Sequence, residues 1–588
     1  MDFDPARRAG RRAAAIFQQA GTLAFDAAVL AAARSRLRRA VALDRGQDGA
    51  VDHALAALAG ACRLAGLGLP APRQLAAALL MGEGRAVEFG MRGGASLAVA
   101  LAALLHAWSG RRCHLVRASD YLAARDCAAF APLYALAGVR ATALGADLDE
   151  AETAQRYTAE LVYATGRQLL SDLLRTRLAA EGVAAAACRP GADVALVDDI
   201  DAVLAEEAAS PVVISAAGSA GVLDGATLAA CALVDELGAG ADYHITREPA
   251  WRVDFTDVGL ARLDLLALRL PVYWRHPQRR DDLLTSALLA RDELQRERHY
   301  LVQEGRVLIA DDGVLRRLAG RVWQFGMLQA VEAREGLPLS SPPRTVARTA
   351  IQSFLPEYRC LAGIGASLAG MQTELRDCYG LHTAVLGGEP GLRPERHYGY
   401  RDGAAKLDAF VDALEARQRR GEALLVGAPR TADLAAIGRL LAARTIGFAL
   451  ADGREPEADA MTLASAGEPG KVTLVVAAAL RNGVLPDAGP QVPLHGMLFE
   501  HWDGARADAA FFAWCTGGEV FGAASDELLL RALPEWLPLP VTVLGRAPAL
   551  AAPLVRLAQR NAARQASRYR ASLGLRERQM DEQLAFAG

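Results

Sequence analysis

The sequence contains almost no lysine, since only Lys406 and Lys471 occur among its 65 basic residues. Lysine is the residue with which glycine-rich phosphate-binding loops of the GxxxxGK[ST] type reach the β- and γ-phosphates of a nucleotide. Any phosphate site that requires lysine therefore has two candidates in the 588-residue chain. All other basic residues are arginines.

Clustered cysteines and long apolar runs are also missing. The eight cysteines are scattered, and no two stand at the CxxC spacing of a zinc knuckle. Isolated cysteines in a large chain are typical of buried thiols in a reducing compartment. The most apolar stretch, 97–105, is about half as long as a membrane span, and Gln18 and Gln19 interrupt the only apolar run that could serve as a secretory signal. We therefore expect a cytoplasmic protein without zinc.

A strong charge bias is absent as well. The net charge is −3 at pH 7, and the chain is 52% hydrophobic and 23% charged, which is an ordinary globular balance and excludes disorder as a description of the whole. No basic stripe with interleaved aromatic residues is found, and the arginine-rich run 417–420 is typical of a solvated helix end. The sequence therefore predicts no nucleic-acid partner.

Short β-prone runs alternate with helical stretches in two separate series. The first series comprises the runs 113–118, 160–165 and 193–199, and the second comprises 423–428, 447–452, 471–478 and 540–545. Strands that alternate with helices are typical of a parallel sheet covered on both faces. The fold class that follows is α/β, with two parallel-sheet lobes and a mixed region between them.

Several motifs resemble those of SecA, the preprotein translocase ATPase. Residues 120–126, DYLAARD, are similar to NDYLAxRD, and residues 329–336, QAVEAREG, are similar to QAVEAKEG. The stretch 197–215 resembles VDEVDSILIDEARTPLIIS, and weaker matches at 172–175, 320–323, 360–363 and 424–427 follow in the same order as in the family. The resemblance extends from about residue 70 to the end of the chain.

The resemblance implies a domain organisation with helicase-like, RecA-like lobes. Residues 1–216 with 338–386 would form the first nucleotide-binding-like lobe, with a helical region at 1–70. A shortened preprotein-cross-linking-like domain is expected at 217–337, a second helicase-like lobe at 387–546, and the start of a helical scaffold at 547–588. From the resemblance we expect no helical wing, two-helix finger or cysteine-rich zinc tail.

The phosphate-binding loop of the family, TGEGKT, is altered here. The matching positions retain Gly94 and Ser96, but the first glycine is Arg92 and the lysine is Ala95. The resemblance assigns Ser96 as a Mg²⁺ ligand. The upstream stretch 82–86, GEGRA, offers Arg85 in a lysine-like place but is not collinear with the family loop. The alternative for both stretches is a purely structural role as a glycine-containing turn.

The acidic pair and the adenine-reading glutamine of the family also have counterparts. The family uses Asp-Glu, in which the aspartate orders Mg²⁺ and the glutamate polarises the attacking water. Here the pair is Asp198 and Asp199, so Asp198 is the predicted metal ligand and Asp199 the predicted catalytic residue. Gln74 matches the glutamine that reads adenine. The alternative for the pair is an acidic strand end at a loop.

The arginines that face the γ-phosphate from the second lobe in the family are missing. Their collinear positions hold Phe512, Trp514 and Gly517, and the neighbouring NMAGRGTD motif retains only Arg481 as a remnant of nucleotide binding. An arginine finger contributes about 10³–10⁵ in rate. We expect the two aromatic residues either to pack across the cleft between the lobes or to belong to the core of the second lobe.

These departures predict a SecA-like protein of preprotein export that has lost ATP hydrolysis. We expect an accessory or regulatory component that binds a protein partner, either an exported protein or a secretion-system component, and that lies in the cytoplasm or at the inner face of the membrane. ATP and Mg²⁺, implied by the family, would bind weakly or not at all. The alternatives are an active or atypical ATP-driven translocase motor and, more remotely, an RNA-remodelling helicase.

Overall fold

The computed structural model describes most of the chain. The described residues are 4–22, 26–43, 47–90, 94–145, 148–180, 191–206, 208, 212–217, 222–246, 252–294, 296, 300–303, 306–309, 326–340, 343–368, 370–386, 396–400, 403–480, 483, 493–502, 505–523, 556–568 and 570. The chain divides into two compact units, one formed by Met1–Val212 with Arg348–Gly588 and the other by Val213–Ala347.

The helices and strands alternate through most of the chain. The helices are α1 (Pro5–Thr22), α2 (Ala27–Ala42), α3 (Gln47–Leu64), α4 (Pro72–Gly82), α5 (Ala95–Trp108), α6 (Asp120–Ala129), α7 (Ala131–Leu136), α8 (Glu150–Arg156), α9 (Gly166–Ala180), α10 (Val222–Val234), α11 (Asp257–Leu266), α12 (Pro277–Asp292), α13 (Met327–Arg334), α14 (Ile351–Phe354), α15 (Gln372–Tyr379), α16 (Gly403–Gln418), α17 (Thr431–Ala443), α18 (Pro456–Ala464), α19 (Ala477–Leu480), α20 (Ala505–Ala513) and α21 (556–568). The strands are β1 (Arg85–Glu88), β2 (Cys113–Arg117), β3 (Ala141–Ala143), β4 (Leu161–Thr165), β5 (Val194–Asp198), β6 (Val212–Ala217), β7 (Tyr243–Thr246), β8 (Arg252–Phe255), β9 (Tyr300–Gln303), β10 (Arg306–Ile309), β11 (Pro343–Thr349), β12 (Cys360–Gly365), β13 (His382–Val385), β14 (Arg396–Tyr400), β15 (Ala423–Gly427), β16 (Ala449–Ala451), β17 (Val472–Val475), β18 (Leu494–Leu498) and β19 (Gly517–Ala523).

The first lobe is built on a parallel sheet whose described strands stand in the order β13-β1-β12-β5-β2-β4-β3. Strands β2 and β5 are buried along their whole length because helices cover both faces. Gly363 on β12 has no room for a side chain, since a Cβ there would overlap the carbonyl oxygen of Val197 and come within 2.9 Å of Ile200 Cγ1. Helices α1 to α4 pack into the same core through small alanine faces.

The second lobe is a further parallel sheet, with its described strands in the order β14-β19-β18-β15-β17-β16. Its core contains Phe410, Phe511 and Phe521, with ring centroids of Phe410 and Phe521 4.8 Å apart. The two sheets confirm the predicted α/β class with two parallel-sheet lobes. The predicted strand run 540–545 lies outside the described residues.

Helix α21 contacts both lobes. Gln559 donates to the carbonyl of Trp502 at 3.2 Å and to the Asp508 carboxylate at 2.7 Å in the second lobe. Arg570, which is also helical, donates to both oxygens of Glu374 in the first lobe, at 2.6 and 2.9 Å. A buried bidentate pair of this kind fixes the geometry of its partners.

The unit Val213–Ala347 has its own core around α10, α12 and Trp274. It contains two antiparallel hairpins, β7-β8 and β9-β10. The sequence analysis predicted a domain at 217–337, and those bounds stay a prediction. Its QAVEAREG motif forms α13 and has a structural role, since Gln329 and Glu332 both hydrogen-bond Ser340.

Candidate functional site

The carboxyl ends of the central strands of the first sheet form the edge at which open α/β sheets bind ligands. Strand β2 pairs with β5 in parallel, with Val116 beside Val197. Arg117 and Asp198 are therefore the last residues of two neighbouring strands. The register alone brings an arginine beside the predicted metal ligand.

Arg117 stands at the centre of a buried ionic cluster. Its Nη1 contacts Asp198 Oδ2, its Nη2 lies 3.1 Å from Asp126 Oδ2, and the same nitrogen lies 3.8 Å from Asp199 Oδ2. The side chains of Arg117 and Asp198 are each only 4% exposed. Arg117 Nε is buried and has no hydrogen-bond acceptor within the described part of the chain. The guanidinium is thus held mainly by charge, since an ion pair buried from water is screened little.

Asp126 reaches the cluster from α6, the helix that carries the DYLAARD motif. The helix starts directly after β2 because the Ser119 hydroxyl accepts a hydrogen bond from the Leu122 amide at 3.2 Å, which caps its first turn. Arg125 donates to Asp126 Oδ1 at 3.0 Å from the more exposed side. Two motifs of the resemblance, DYLAARD and the acidic pair, therefore meet at one arginine.

Tyr163 on β4 lies beside the cluster and stays neutral. Burial raises its pKa far above the usual value for tyrosine, the hydrogen bond with Tyr134 lowers it, Asp126 raises it and Arg117 lowers it. The two phenol oxygens are 2.5 Å apart. Tyr163 therefore adds no charge to this edge of the sheet.

Asp199, the predicted catalytic residue, has a left-handed backbone with φ of 61°. This region is uncommon for residues other than glycine, although aspartate and asparagine tolerate it best. Its carbonyl accepts hydrogen bonds from the amides of Ala202 and Val203 at 2.9 and 3.0 Å, which start the turn after β5. Its side chain is 40% exposed, so of the acidic pair only Asp199 faces solvent appreciably.

The altered phosphate-binding loop is described only in part, because Arg92 lies outside the described residues. Gly94 precedes α5 with a left-handed φ of 65°, a conformation that glycine adopts without steric cost. Ala95 and Ser96 open the helix, and both are partly exposed. Ala95 brings no charge to this helix start.

Both the oxygen and the nitrogen of the Gln74 carboxamide form hydrogen bonds within the chain. Its Oε1 accepts a hydrogen bond from the Ala71 amide at 2.8 Å, and its Nε2 donates to the Gly94 carbonyl at 3.1 Å. It thereby ties the start of α4 to the start of α5. The predicted role of reading adenine would require those same two groups.

The other basic candidates lie away from this edge. Arg85 begins β1 and pairs with Glu83 at 3.5 Å, so it stands at the amino end of its strand, opposite the candidate site. Both lysines belong to the second lobe, where Lys406 pairs with buried Glu500 at 3.4 Å and Lys471 binds Ser465 at 2.7 Å. No described lysine therefore reaches the first-lobe edge.

The idea that Phe512 and Trp514 pack across the cleft is wrong. Both belong to the hydrophobic core of the second lobe and are 1% and 7% exposed. Phe512 is on α20 and packs over β18 and β19, where Gly496 and Gly518 make room for its ring, whereas Trp514 follows the helix and its ring packs beside Gly483. Gly517 starts β19 and is buried. Arg481 lies outside the described residues.

The arrangement does not fit the Mg²⁺–nucleotide site that the resemblance implies. Mg²⁺ requires near-octahedral oxygen ligands, usually one or two carboxylates with waters and phosphates. The carboxylate of Asp198 is already paired with a buried guanidinium, and Ala95 offers no charge to a phosphate. Within the described ranges, no three His, Cys, Asp or Glu side chains are grouped to hold a metal ion.

Sequence reasoning missed Arg117. The available signal was a single arginine that ends the short β-prone run CHLVR, just before a motif of the resemblance. A charged residue in a fully buried strand usually has a partner. Naming that partner requires the strand order, which places β2 beside β5 rather than beside β1.

Comparisons with known proteins agree with the motifs. The pattern of the SecA DEAD-like domain matches residues 7–376. The protein translocase subunit SecA 2 of Chlorobium chlorochromatii is 33% identical over 564 residues, which cover 89% of this chain and 84% of that protein. SecA 2 of Magnetococcus marinus is 28% identical, with coverage of 84% and 81%. The solved DEAD-box helicase Mss116 bound to ssRNA and UDP-BeF has a TM-score of 0.40 at 8% identity, covering 81% of this chain and 74% of that one.

Proposed function

The chain belongs to the SecA family, and we propose that it serves protein translocation as an accessory or regulatory component that binds a protein partner without turning over ATP. The observation that carries this proposal is the buried pairing of Arg117 with Asp198. The Walker-B-type aspartate holds Mg²⁺ in motors of the helicase class. An aspartate committed to a guanidinium is poorly suited to that task.

The absence of a charge at Ala95 supports the same conclusion from a second position. The lysine of a phosphate-binding loop stabilises the β- and γ-phosphates, and arginine could retain that positive charge. In a chain whose basic residues are nearly all arginine, drift from lysine to arginine would have kept this charge, so the alanine supports a loss of phosphate binding. Phe512 and Trp514, at the arginine-finger positions, have become core residues.

An exposed apolar surface on the unit Val213–Ala347 supports a protein partner. Five large apolar side chains on α11 and the two helical turns that follow it are each more than half exposed: Val258, Leu265, Leu268, Val272 and Tyr273. Val258 and Leu265 are seven residues apart and so lie on one face of α11. Apolar patches of this kind are typical of protein-interaction surfaces.

We propose a cytoplasmic location with peripheral contact at the membrane, because the relatives are named as subunits of a protein translocase. None of the described helices combines the length and apolarity that crossing a membrane requires. The partner is either an exported protein or another component of the export machinery.

The test is the binding of a fluorescently labelled unfolded polypeptide to the full chain, followed by anisotropy. We expect saturable binding whose Kd is the same without nucleotide and with Mg²⁺–ATP. Leu265→Asp should weaken it about tenfold or more, since burying an unpaired charge at an interface costs more than one kcal/mol. Leu43→Asp, the same change at a leucine that is 69% exposed at the end of α2, is the matched control and should leave binding unchanged. Binding that requires ATP, or that survives Leu265→Asp unchanged, would contradict the proposal.

A further inference from the structure

We infer that Arg117 is a built-in cation that takes the place of the divalent metal ion at Asp198. The inference rests on the proposed loss of ATP turnover and gives it a structural cause. It concerns a residue outside the phosphate-binding loop, the acidic pair and the finger positions. Its consequence is measurable without ATP: the wild-type chain should not bind a divalent cation through Asp198.

The position of Arg117 is fixed by the backbone rather than by a flexible arm. The residue ends β2, between β4 and β5, with Val116 in register with both Ala164 and Val197. Its side chain is 4% exposed and contacts Asp198 directly. A guanidinium held in this way cannot swing into solvent without opening the sheet edge.

The charges around Arg117 balance without a metal. Asp198 and Asp126 both contact Arg117, and Arg125 supplies a second positive charge to Asp126 at 2.9 Å. These four groups sum to zero, and the remaining carboxylate, Asp199, is the one that is partly exposed. Buried charges are tolerated when they are paired, so the site needs no further cation.

A divalent ion at Asp198 would therefore meet two opposing effects. It would have to displace the guanidinium from the carboxylate, and it would place a double positive charge beside a buried single one. The guanidinium cannot relieve that repulsion by losing its proton, because arginine stays protonated in proteins. Like charges in a poorly screened site repel strongly.

Removing the positive charge of Arg117 should remove both effects that oppose a divalent ion at Asp198. Arg117→Gln keeps a polar side chain with N–H donors, shorter than that of arginine, but carries no charge. With Arg117 in place, Asp198, Asp126 and Asp199 are not grouped to hold a metal ion. Without its charge, these carboxylates could draw together around an added cation, with only Arg125 to offset them. Hard divalent cations favour carboxylate clusters of this kind.

The experiment is a Mn²⁺ titration of the full chain, without nucleotide, followed by the electron paramagnetic resonance signal of free Mn²⁺. We expect wild type and Asp198→Asn to bind Mn²⁺ equally, and Arg117→Gln to gain one site at least tenfold tighter than any in wild type. The double variant Arg117→Gln with Asp198→Asn should lose that site. Arg177→Gln, which removes an exposed arginine paired with Glu357, controls for the change in net charge.

Two outcomes would overturn the inference. One is a Mn²⁺ site in wild type that disappears in Asp198→Asn, and this comparison stands even if Arg117→Gln does not fold. The other is an Arg117→Gln protein with native circular dichroism that binds no more Mn²⁺ than wild type. Neither outcome depends on ATP turnover, so a failure here is distinct from a failure of the proposed function, which would be seen as hydrolysis by the wild-type chain.

Discussion

Replacing Phe512 by alanine should open the second lobe while leaving the first lobe intact. The Phe512 ring is 1% exposed and packs against the Phe511 ring, with centroids 5.0 Å apart. A methyl group at Gly518 would overlap the same ring, coming within 2.8 Å of Cδ1, and one at Gly496 would lie 3.3 Å from Cε1. The ring therefore fills a space that two glycines leave for it.

These contacts give the expected losses of stability for three variants. Truncating a buried phenylalanine costs about 3–5 kcal/mol, because it removes the transfer free energy and leaves a cavity. Gly518→Ala alone should cost about 1–3 kcal/mol by overpacking. The double variant Phe512→Ala with Gly518→Ala should cost less than the sum, by roughly 1–2 kcal/mol, since the new methyl group occupies part of the cavity.

The assay is hydrogen exchange measured by mass spectrometry, because a chain of several domains has no single unfolding transition. Peptides covering β15 and β19 should lose protection in Phe512→Ala, while peptides covering β2 should not change. Phe448→Ala, which removes a phenylalanine that is 39% exposed in the same lobe, is the matched control and should have a smaller effect. Strictly additive costs for Phe512 and Gly518, or unchanged protection of β19, would refute the core assignment.

Two further predictions concern stability. Arg570→Met should release α21 from the first lobe at a cost of about 3–5 kcal/mol, since it leaves Glu374 buried without its bidentate partner, and hydrogen exchange of 556–568 should become faster. The control Arg376→Met removes an exposed ion pair and should change stability by less than about 1 kcal/mol. Equal effects of the two substitutions would contradict the prediction. Burial lowers the pKa of His106 to about 4 and that of His114 to about 3, so both stay neutral in the folded first lobe while the unfolded chain takes up protons below pH ~6.5. The stability of the first lobe should be complete well above that pH and fall by about 3 kcal/mol in total at pH ~5.5. If the denaturant concentration at which β2 loses protection from hydrogen exchange does not change between pH 7 and 5.5, the prediction is contradicted.

The sequence was sufficient for the architecture because strand and helix patterns are local. The runs at 113–118, 160–165 and 193–199 became β2, β4 and β5 because each is a short apolar, β-prone segment between helical stretches. The collinear motifs then indicated the family. Neither inference needed knowledge of which strands are neighbours.

The candidate site could be predicted only in part, because its decisive contacts join distant parts of the chain. Asp198 was identified from its motif, but its pairing with Arg117 follows from the β2–β5 register. The collinear motifs identified the residues that stand at the finger-arginine positions, but they could not show the direction of the Phe512 side chain. In the structure this side chain lies in the core of the second lobe. Position 74 has the glutamine of the family, but the carboxamide of Gln74 hydrogen-bonds the backbone of Ala71 and Gly94.

The central claim is that this member of the SecA family does not turn over ATP, and phosphate release by the purified full chain with Mg²⁺–ATP tests it most directly. We predict no release above that of a mock preparation, whether alone or with an unfolded polypeptide or lipid vesicles. Turnover of about one per second, at the low end of ordinary enzyme rates, that is abolished by Asp199→Asn would contradict the account.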